Sequence, residues 1–539
     1  MAPWLAEMLI RRGFSEQEKA THFLQPRLKT LSDPFLLPAM EAAVARILAA
    51  VDGRERIVIY GDYDVDGVTS ITILARTLRA YGAEVAAFLP HRVDEGYGLS
   101  ADGIARCVEE HRPELLLAVD CGTTSVAEIA ALMGNGVDVV VLDHHEPKSE
   151  LPPACALVNP KLGADFHYLC TAGLAFKLAH ALLKRRPLPG FDLKDVLDLV
   201  AIGTVADIVP LVEENRVLVK AGLDRLPQSK WPGVRALIEV AGLKPPFTST
   251  DVGFGIGPRL NAAGRLASAE AALELLLTDD ATRAHLLAKS LDLHNRERRA
   301  IEDDVLTQAR AQVLNHYDPE GDAAIVVGAV GWHPGVVGIV ASRLQRLHHR
   351  PTIVVGFDTM GLGKGSGRSI EGFSLVEAMG KCAAHLEKFG GHEMAAGLTI
   401  RQEYFEDFRI AFTDAARAML TAEQLEQSLH LDAEIQLANV QLSLLTEHDT
   451  FHPFGSQNRQ PVFFARGIAL GAEPRVMKEK HYSFVLRQAR AECRAVWWGA
   501  AEFPLPPAPW DVAFTISRNE WNGRVTPQLE IRDVRSAAR

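Results

Sequence analysis

Short apolar runs alternate with helix-length stretches in the first third of the sequence, and this alternation constrains the fold more than any other feature. The runs at residues 57–61, 115–119 and 137–142 have the length of strands. The intervening stretches with helical character are Val68 to Ala80, Ala101 to Glu110 and Ser125 to Met133. Alternating strands and helices are typical of a parallel sheet. We therefore predict an α/β fold class.

Each of the three apolar runs ends in acidic residues. Asp62, Asp64 and Asp66 alternate after the first run, Asp120 follows the second, and Asp143-His144-His145-Glu146 follows the third. Ligand sites of such sheets lie beyond the carboxyl ends of the strands, so the fold would bring these side chains together. Carboxylates and imidazoles suit Mg²⁺ or Mn²⁺. The pattern predicts a two-metal hydrolytic site, with metals about 3.5–4 Å apart.

Each of these groups also has a structural interpretation. The run of aspartates could be an acidic, solvated loop, and Asp120 before Cys-Gly could be a turn residue. The two histidines could lie on the surface; alternatively, one is a ligand and the other a phosphate contact. Asp207, within the apolar stretch Leu197 to Val209, could be a helix cap or a salt-bridge partner.

Several motifs resemble those of the DHH phosphoesterase superfamily. They are Asp-x-Asp-x-Asp at 62–66, Asp120 with Gly-Thr-Thr, Asp-His-His at 143–145 and Gly-Thr-Val-Ala-Asp at 203–207. Segments similar to the partner domain of that family follow at 257–265, 331–335, 365–369 and 390–392. The resemblance covers nearly the whole chain from about Ile57 onward. It is strongest to the members that digest single-stranded DNA from the 5′ end.

The resemblance implies a metal-dependent exodeoxyribonuclease that hydrolyses single-stranded DNA 5′→3′ to 5′-mononucleotides in DNA repair and recombination. Two Mn²⁺ or Mg²⁺ ions would be held by Asp64, Asp66, Asp120, His144 and Asp207, with Asp62 beside them and Asp66 or Asp120 as the bridging ligand. His145 and His392 would stabilise charge on the phosphoryl oxygens. The predicted phosphate- and DNA-binding residues are Arg259, Asn261, Arg265, His333, Ser366, Arg368, Ser369 and Gly391. Because these residues come from two domains, a narrow cleft that admits one strand is expected.

Glycine occupies every second position from Gly361 to Gly367. One face of such a strand has no side chains, so a phosphate could approach its backbone closely. Ser366 and Arg368 add donors, and arginine offers bidentate contacts to phosphate. The alternative interpretation is that these glycines mark tight packing. The segment is not a P-loop, since Lys364 is followed by glycine.

The predicted organisation has five parts. They are a helical arm (1–45), a metal-binding catalytic domain on a parallel sheet (46–225), a helical connection with a long bridging helix from Asp280 to His316 (226–320), a second parallel-sheet α/β substrate-binding domain (321–428) and a tail (429–539). Short strands in the tail suggest a small β-barrel; the resemblance implies an OB-like fold that binds single strands. Aromatic side chains available for base stacking are Phe451, Phe454, Tyr482, Trp497, Trp498 and Trp521.

Composition limits the class of protein. The net charge of −11 argues against a protein that coats nucleic acid indiscriminately. The six cysteines show no metal or disulfide spacing, which fits a reducing cytoplasm. Residues 1–14 carry Glu7, Arg11 and Arg12 and do not predict a secretory signal, and no apolar run has the ~20 residues needed to span a bilayer. We expect a cytoplasmic monomer.

Two other functions stay open at this point. One is a phosphodiesterase of the same superfamily that acts on short oligoribonucleotides, cyclic dinucleotides or polyphosphate; the long β-rich tail disfavours it. The other is a non-catalytic relative that only binds single strands, although all the predicted ligands are present. Single-strand-binding protein and a helicase are partners implied by the resemblance alone. The preferred metal, processivity, RNA tolerance and docking sites do not follow from the sequence.

Overall fold

The computed structural model describes residues 3–90, 98–266, 269–318, 321–521 and 523–537. The chain divides into two compact units. Unit 1 comprises residues 1–258, 272–285 and 430–539, and unit 2 comprises residues 259–271 and 286–429. Among the described helices, none combines the length and the apolar character needed to cross a membrane.

The first part of unit 1 is built on a five-stranded parallel sheet of order β2-β1-β3-β4-β5. Its strands are β1 (Ile57–Gly61), β2 (Val85–Phe88), β3 (Leu115–Val119), β4 (Asp138–Leu142) and β5 (Ala156–Val158). The helices are α1 (Pro3–Arg11), α2 (Gln17–Leu24), α3 (Met40–Gly53), α4 (Val65–Ala80), α5 (Ala101–His111), α6 (Val126–Gly134), α7 (Thr171–Arg185), α8 (Leu197–Ala206), α9 (Glu213–Arg225), α10 (Pro232–Val240) and α11 (Ser249–Asp251), and a π-helical turn follows at Val252–Ile256. The predicted parallel sheet is confirmed.

The central strands and the first crossover helix position the acidic residues. Every residue of β1 and β3 is buried, which explains their unbroken apolar sequence, because helices cover both faces of a parallel sheet. Helix α4 begins three residues earlier than predicted. Asp64 caps it by accepting a hydrogen bond from the Gly67 amide, so Asp66 lies in the first helical turn rather than in a loop.

Unit 2 contains a mixed sheet of order β6-β7-β8-β10-β9. Its strands are β6 (Ile325–Val330), β7 (Thr352–Phe357), β8 (Leu362–Arg368), β9 (Lys388–Gly391) and β10 (Ala395–Arg401). The helices after the π-helical turn are α12 (Gly257–Leu266), α13 (Glu270–Leu277), α14 (Ala281–His316), α15 (Pro334–His348), α16 (Leu375–Lys381), α17 (Phe405–Met419) and α18 (Ala422–Leu425). The predicted long helix is α14, which contributes residues to both units.

The prediction of a second parallel sheet is wrong for most of its strands. Only β6 and β7 pair in parallel, while β8, β9 and β10 form antiparallel pairs. The reason is the length of the connections. Residues 358–361 form a tight turn between β7 and β8, and a parallel pair would need a crossover of a dozen or more residues.

The tail of unit 1 is a seven-stranded sheet of order β11-β12-β16-β17-β15-β14-β13. Its elements are β11 (Ala433–Glu434), α19 (Leu442–Asp449), β12 (Phe463–Leu470), β13 (Arg475–Met477), β14 (His481–Gln488), β15 (Ala491–Trp497), β16 (Trp510–Trp521) and β17 (Arg524–Ser536). Strand β12 also pairs with β14, so β12, β16, β17, β15 and β14 form a closed cycle of pairings. Helices α1 and α2 share the apolar core of this tail, through residues such as Leu9 and Phe23.

Candidate functional site

The predicted acidic residues converge beyond the carboxyl ends of β1, β3 and β4. The Nε2 atom of His144 lies 3.5 Å from Asp120 Oδ1, 3.5 Å from Asp207 Oδ2 and 3.8 Å from Asp66 Oδ2. Three sets of donor atoms each lie within 4.8 Å of one another: Asp62, Asp64 and Asp120; Asp120, His144 and His145; and Asp66, Cys170 and Asp207. We call these residues the carboxylate cluster. Asp120 belongs to two of the three sets.

Asp120 is held by an unusual backbone conformation. Its φ is +62°, a region that residues other than glycine seldom adopt and that is often found at functional sites. The Asp120 amide donates to the Leu142 carbonyl at 2.9 Å, and Oδ1 accepts a hydrogen bond from Thr171 Oγ1 at 2.9 Å. The turn after β3 thereby directs this carboxylate toward the residues that follow β4.

Asp66 is held by the start of helix α7. Its two carboxylate oxygens accept hydrogen bonds from the Thr171 amide at 2.7 Å and the Ala172 amide at 2.8 Å, where a helix N-terminus favours negative charge. Helix α8 can approach because position 203 is glycine: a Cβ there would lie 2.6 Å from Ala172 Cβ. Sequence reasoning missed Thr171. No side-chain cap marks the start of α7, so the sequence carried no signal for it.

The carboxylate cluster has unfavourable electrostatics when no cation is bound. Burial, with the charge of Asp120, raises the pKa of Asp64 to about 7, and burial also raises the pKa values of Asp62 and Asp66 well above the ordinary range. The pKa of Asp207 is raised to about 6, again mainly by burial. Asp62 Oδ1 and Asp207 Oδ2 are buried without a hydrogen-bond donor in the described structure. Crowded carboxylates with uncompensated oxygens fit divalent cations.

The two adjacent histidines have different environments. Burial opposes the protonation of His144, but the hydrogen bond and charge of Asp120 raise the pKa of His144. Burial likewise opposes the ionisation of Asp120, but the hydrogen bond and charge of His144 lower its pKa. Likewise, burial lowers the pKa of His145, but Asp143, whose Oδ1 lies 2.7 Å from His145 Nδ1, raises it to about 9.

Asp143 therefore orients His145, a role that the sequence motif did not reveal. Its Oδ2 accepts a hydrogen bond from the Thr123 amide at 2.9 Å. The side chain of Asn159 supports the same turn by donating to Thr123 Oγ1 at 3.0 Å and to the His145 carbonyl at 2.9 Å.

Unit 2 places Arg368 in a setting without a counter-charge. Arg368 Nη1 donates to Ser366 Oγ at 2.9 Å and to the Gly367 carbonyl at 2.7 Å. Burial lowers the pKa of the guanidinium, and no carboxylate among the described residues offsets this effect. A Cβ on Gly338 of α15 would lie 3.0 Å from Ser366 Oγ and 3.2 Å from Arg368 Nη2, so both side chains pack on that helix. We call Ser366 and Arg368 the Arg368 pocket; it fits an anion.

The glycine face of β8 does not have the predicted role of admitting a phosphate. A Cβ on Gly363, Gly365 or Gly367 would lie within 2.5–2.9 Å of core side chains such as Phe357, Leu398 and Ile353, respectively. Apolar side chains therefore occupy the space that the glycines leave, and the interpretation as tight packing is the correct one.

Ser369 and Gly391, two other residues predicted to contact phosphate, make contacts within the fold itself. The buried hydroxyl of Ser369 donates to the Phe373 carbonyl at 2.6 Å. Gly391 has a φ of +139°, and a Cβ there would lie 2.6 Å from the Ala395 carbonyl oxygen. Both residues therefore maintain the local fold around β8–β10.

The other predicted phosphate-contacting residues of unit 2 have different environments. The guanidinium of Arg259 binds Asp292 through Nε at 2.9 Å and Nη2 at 2.8 Å. His333 caps α15, with Nδ1 accepting a hydrogen bond from the Gly335 amide at 3.0 Å. Asn261 is half-buried in α12, and His392 is exposed in the β9–β10 turn. The side chain of Arg265 lies outside the described residues.

Among the six aromatic residues predicted for base stacking, Trp498 is the one that is well exposed in the described part of the tail. It is 52% exposed, and the centroid of its ring lies 5.0 Å from that of His481. Phe451, Phe454, Tyr482 and Trp497 belong to the tail core or pack against it. The side chain of Trp521 lies outside the described residues.

Comparison with known proteins identifies three family models in this chain. They are the DHH family N-terminal domain at residues 56–204, the DHHA1 domain at 322–426 and the RecJ OB domain at 431–533. Two curated relatives are both named single-stranded-DNA-specific exonuclease RecJ. The one from Bacillus subtilis is 37% identical over 99% of this chain and 68% of its own length. The one from Thermus thermophilus is 37% identical over 97% and 74%, respectively.

Solved structures agree with the sequence relatives. The crystal structure of Thermus thermophilus RecJ in complex with Mn²⁺ superimposes with a TM-score of 0.85 at 34% identity, covering 100% of this chain and 76% of that one. The structure of the same protein with Mg²⁺ gives a TM-score of 0.79 at 32% identity, covering 100% and 75%. The resemblance predicted from the motifs is confirmed, and the chain belongs to the RecJ family.

Proposed function

We propose that this chain is a single-stranded-DNA-specific exonuclease. It hydrolyses phosphodiester bonds in the 5′→3′ direction with two Mn²⁺ or Mg²⁺ ions and releases 5′-mononucleotides in DNA repair and recombination. The observation that carries the proposal is the carboxylate cluster, in which buried acidic oxygens lack hydrogen-bond donors within the described part of the chain. A protein that only bound DNA would have no use for such an unfavourable arrangement.

We assign Asp64, Asp66, Asp120, His144 and Asp207 as the metal ligands, with Asp62 beside them. Asp120 is the better candidate for the bridging ligand, since it belongs to two of the three donor sets, whereas both oxygens of Asp66 already accept hydrogen bonds from α7. When bound, the two cations neutralise the cluster and make a water molecule acidic enough to act as the nucleophile.

Side chains around the cluster orient its carboxylates and contribute a group that can contact the phosphodiester. Thr171 and the start of α7 fix the directions of Asp66 and Asp120, so little reorganisation accompanies binding. Asp143 orients His145 and raises its pKa in the metal-free protein, and a protonated imidazole there would stabilise negative charge on a phosphoryl oxygen. The same role for His392 stays a prediction from the family resemblance.

The Arg368 pocket is our candidate for the terminal 5′-phosphate. The Arg368 side chain is half-buried without a carboxylate partner in the described structure, whereas Arg259 is already bound to Asp292. A phosphate would supply the missing counter-charge and accept a hydrogen bond from Ser366.

The tail is our candidate for the track that binds the rest of the strand. Trp498 offers an exposed ring, and Arg475, Lys478 and Lys480 lie in or beside the neighbouring strands β13 and β14. An aromatic ring with basic neighbours is typical of sequence-independent single-strand binding. Single-strand-binding protein and a helicase as partners, a monomeric state and a cytoplasmic location stay predictions.

A single assay tests the proposed function. Single-stranded and duplex DNA, labelled at the 5′ or the 3′ end, are incubated with the protein in Mn²⁺, in Mg²⁺ and in chelator. We expect release of labelled mononucleotide first from the 5′ end of the single strand, in the presence of metal only. Cleavage in chelator, or equal digestion of the duplex, would contradict the proposal. Preferential cleavage of short oligoribonucleotides would favour the alternative phosphodiesterase.

A further inference from the structure

Two large apolar side chains are exposed to solvent beside the carboxylate cluster. Ile208, which directly follows Asp207, is 73% exposed, and Phe254 is 70% exposed. The backbone of Ile208 has a φ of +63°, which is rare for a β-branched residue. Phe254 lies in the π-helical turn Val252–Ile256, and such turns are frequent at functional sites. The chain thus holds two apolar groups in water where burial would stabilise them.

The segments that carry these two side chains are in contact. A Cβ on Gly253 would lie 3.8 Å from Val205 Cγ1, and a Cβ on Gly257 would lie 3.5 Å from Ala206 Cβ. The π-helical turn therefore packs on the last turn of α8, the same helix end from which Asp207 reaches the cluster.

Both segments are also fixed to the tail. The Leu211 amide donates to the Ser456 carbonyl at 2.9 Å, and the hydroxyl of Ser249 donates to the Phe454 carbonyl. All of these residues belong to unit 1. Both exposed side chains thus lie on segments that contact each other at the end of α8, beside Asp207, and that are hydrogen-bonded to the tail.

We propose that Ile208 and Phe254 form a base platform, a subsite on which nucleobases of the single strand stack as it passes between the tail and the carboxylate cluster. This inference rests on the proposed function. A nucleobase has two apolar faces and would cover the side chains that the fold leaves exposed. Every base has such a face, so the platform accepts any sequence. The bases of a duplex are already stacked on one another, so the platform also favours single strands.

Binding measurements in chelator test the platform without cleavage. The probes are fluorescent single strands in which one abasic position is moved along the chain from the 5′ end. We expect Phe254→Leu to weaken binding of the unmodified strand about tenfold, the order expected for one lost stacked base. Phe254→Trp, which keeps an aromatic ring, should bind the unmodified strand as tightly as the unsubstituted protein does. With the abasic position at the platform, the protein and Phe254→Leu should have the same Kd.

Ile208→Asn separates binding from folding. Asparagine tolerates a positive φ better than isoleucine does, so the melting temperature should stay unchanged or rise while the Kd for the strand increases. A structural role for Ile208 would give the opposite sign for stability. Leu36→Ala is the matched control: Leu36 is 64% exposed in the same unit but does not adjoin Asp207, and its removal should change neither quantity.

The inference is overturned if Phe254→Leu binds the unmodified strand as tightly as the unsubstituted protein does. It is also overturned if the loss is the same wherever the abasic position lies. Either result leaves the proposed function intact, provided that the unsubstituted protein releases nucleotides in Mn²⁺. Absence of that release would instead refute the proposed function, because the binding cycle does not depend on cleavage.

Discussion

The carboxylate cluster of unit 1 and the Arg368 pocket of unit 2 are incomplete charge sites of opposite sign. The cluster gathers acidic groups from several segments of the chain, and burial with mutual repulsion raises most of their pKa values. The pocket rests on one guanidinium, whose pKa is lowered by burial alone. In each site the fold holds a charge that is unfavourable until a ligand of opposite charge arrives. Because the cluster holds several such charges and the pocket holds one, a substitution in the cluster should reduce the rate of hydrolysis more than a substitution in the pocket does.

The largest effect is expected in the cluster. Asp120→Asn removes the charge of a residue that belongs to two donor sets, but it keeps a side-chain oxygen that can accept the Thr171 hydrogen bond. The rate of hydrolysis should therefore fall on the order of a thousandfold or more. Single-turnover digestion of a 5′-labelled strand in Mn²⁺ measures this fall. Strand binding in chelator should stay within about twofold if binding depends mainly on other surfaces.

The matched control is Asp102→Asn, an exposed aspartate in helix α5 of the same unit. It should digest the strand at the unsubstituted rate. Substantial activity of Asp120→Asn would show that the two regions do not differ as described.

A smaller effect is expected in the pocket. Arg368→Met keeps most of the side-chain volume but loses the charge, so digestion of a 5′-phosphorylated strand should slow about tenfold, corresponding to ~1.5–3 kcal/mol. A 5′-hydroxyl strand should be affected much less. Arg401→Met, in the neighbouring strand β10 and paired with Glu387 on the surface, is the control. Equal slowing of both substrates would mean that Arg368 has a structural role or contacts another phosphate.

The stability of the metal-free protein gives a third, smaller test. The folded-state pKa of Asp64 is raised to about 7, so the folded protein binds this proton more tightly than the unfolded chain does. Stability contributed by the protonated form is therefore lost as the pH rises from about 4 to about 7. Asparagine still caps helix α4, so Asp64→Asn should be more stable than the unsubstituted protein at pH 8, by on the order of 1 kcal/mol or more.

Urea denaturation in chelator at pH 5 and at pH 8 measures this difference, which should shrink at the lower pH. Saturating Mn²⁺ should reverse the order at pH 8, since only the unsubstituted cluster binds the ions fully. If the variant is less stable in chelator at pH 8, the cost of burying the ionised Asp64 carboxylate beside Asp120 does not dominate its contribution to stability.

The smallest effect is expected when inorganic phosphate binds to the Arg368 pocket. Inorganic phosphate should raise the melting temperature of the unsubstituted protein by about a degree or two, because a weakly bound anion at a few times its Kd contributes about 1 kcal/mol. Arg368→Met should not respond. Equal responses would locate phosphate binding elsewhere.

The sequence predicted the parts of the fold that depend on local pattern. The apolar runs of β1 and β3 and the acidic residues that follow them identify a parallel sheet and the edge where its ligands lie, because strand burial and strand-end position are properties of single segments. Thr171 and Asn159 could not be found in this way. Their roles depend on which helix start and which turn the fold brings next to Asp66 and His145.

The glycines of β8 show the same limit. Alternating glycine predicts an open face but does not say what fills it, and core side chains from β7 and β10 do so here. The direction of β8 was also missed, since it depends on the length of the turn after β7 rather than on the composition of the strand.

The shared core of the tail and the first two helices has a consequence for the order of folding. Trp4 Nε1 donates to Glu447, 443 residues further along the chain, and the Trp4 ring packs 5.4 Å from that of Phe463. At a synthesis rate of about 5–20 residues per second, the apolar faces of α1 and α2 wait roughly 20 to 90 s for their partners. The parallel sheet can form during that interval. Helices α1 and α2 therefore reach their final packing only after a loop closure that spans 443 residues.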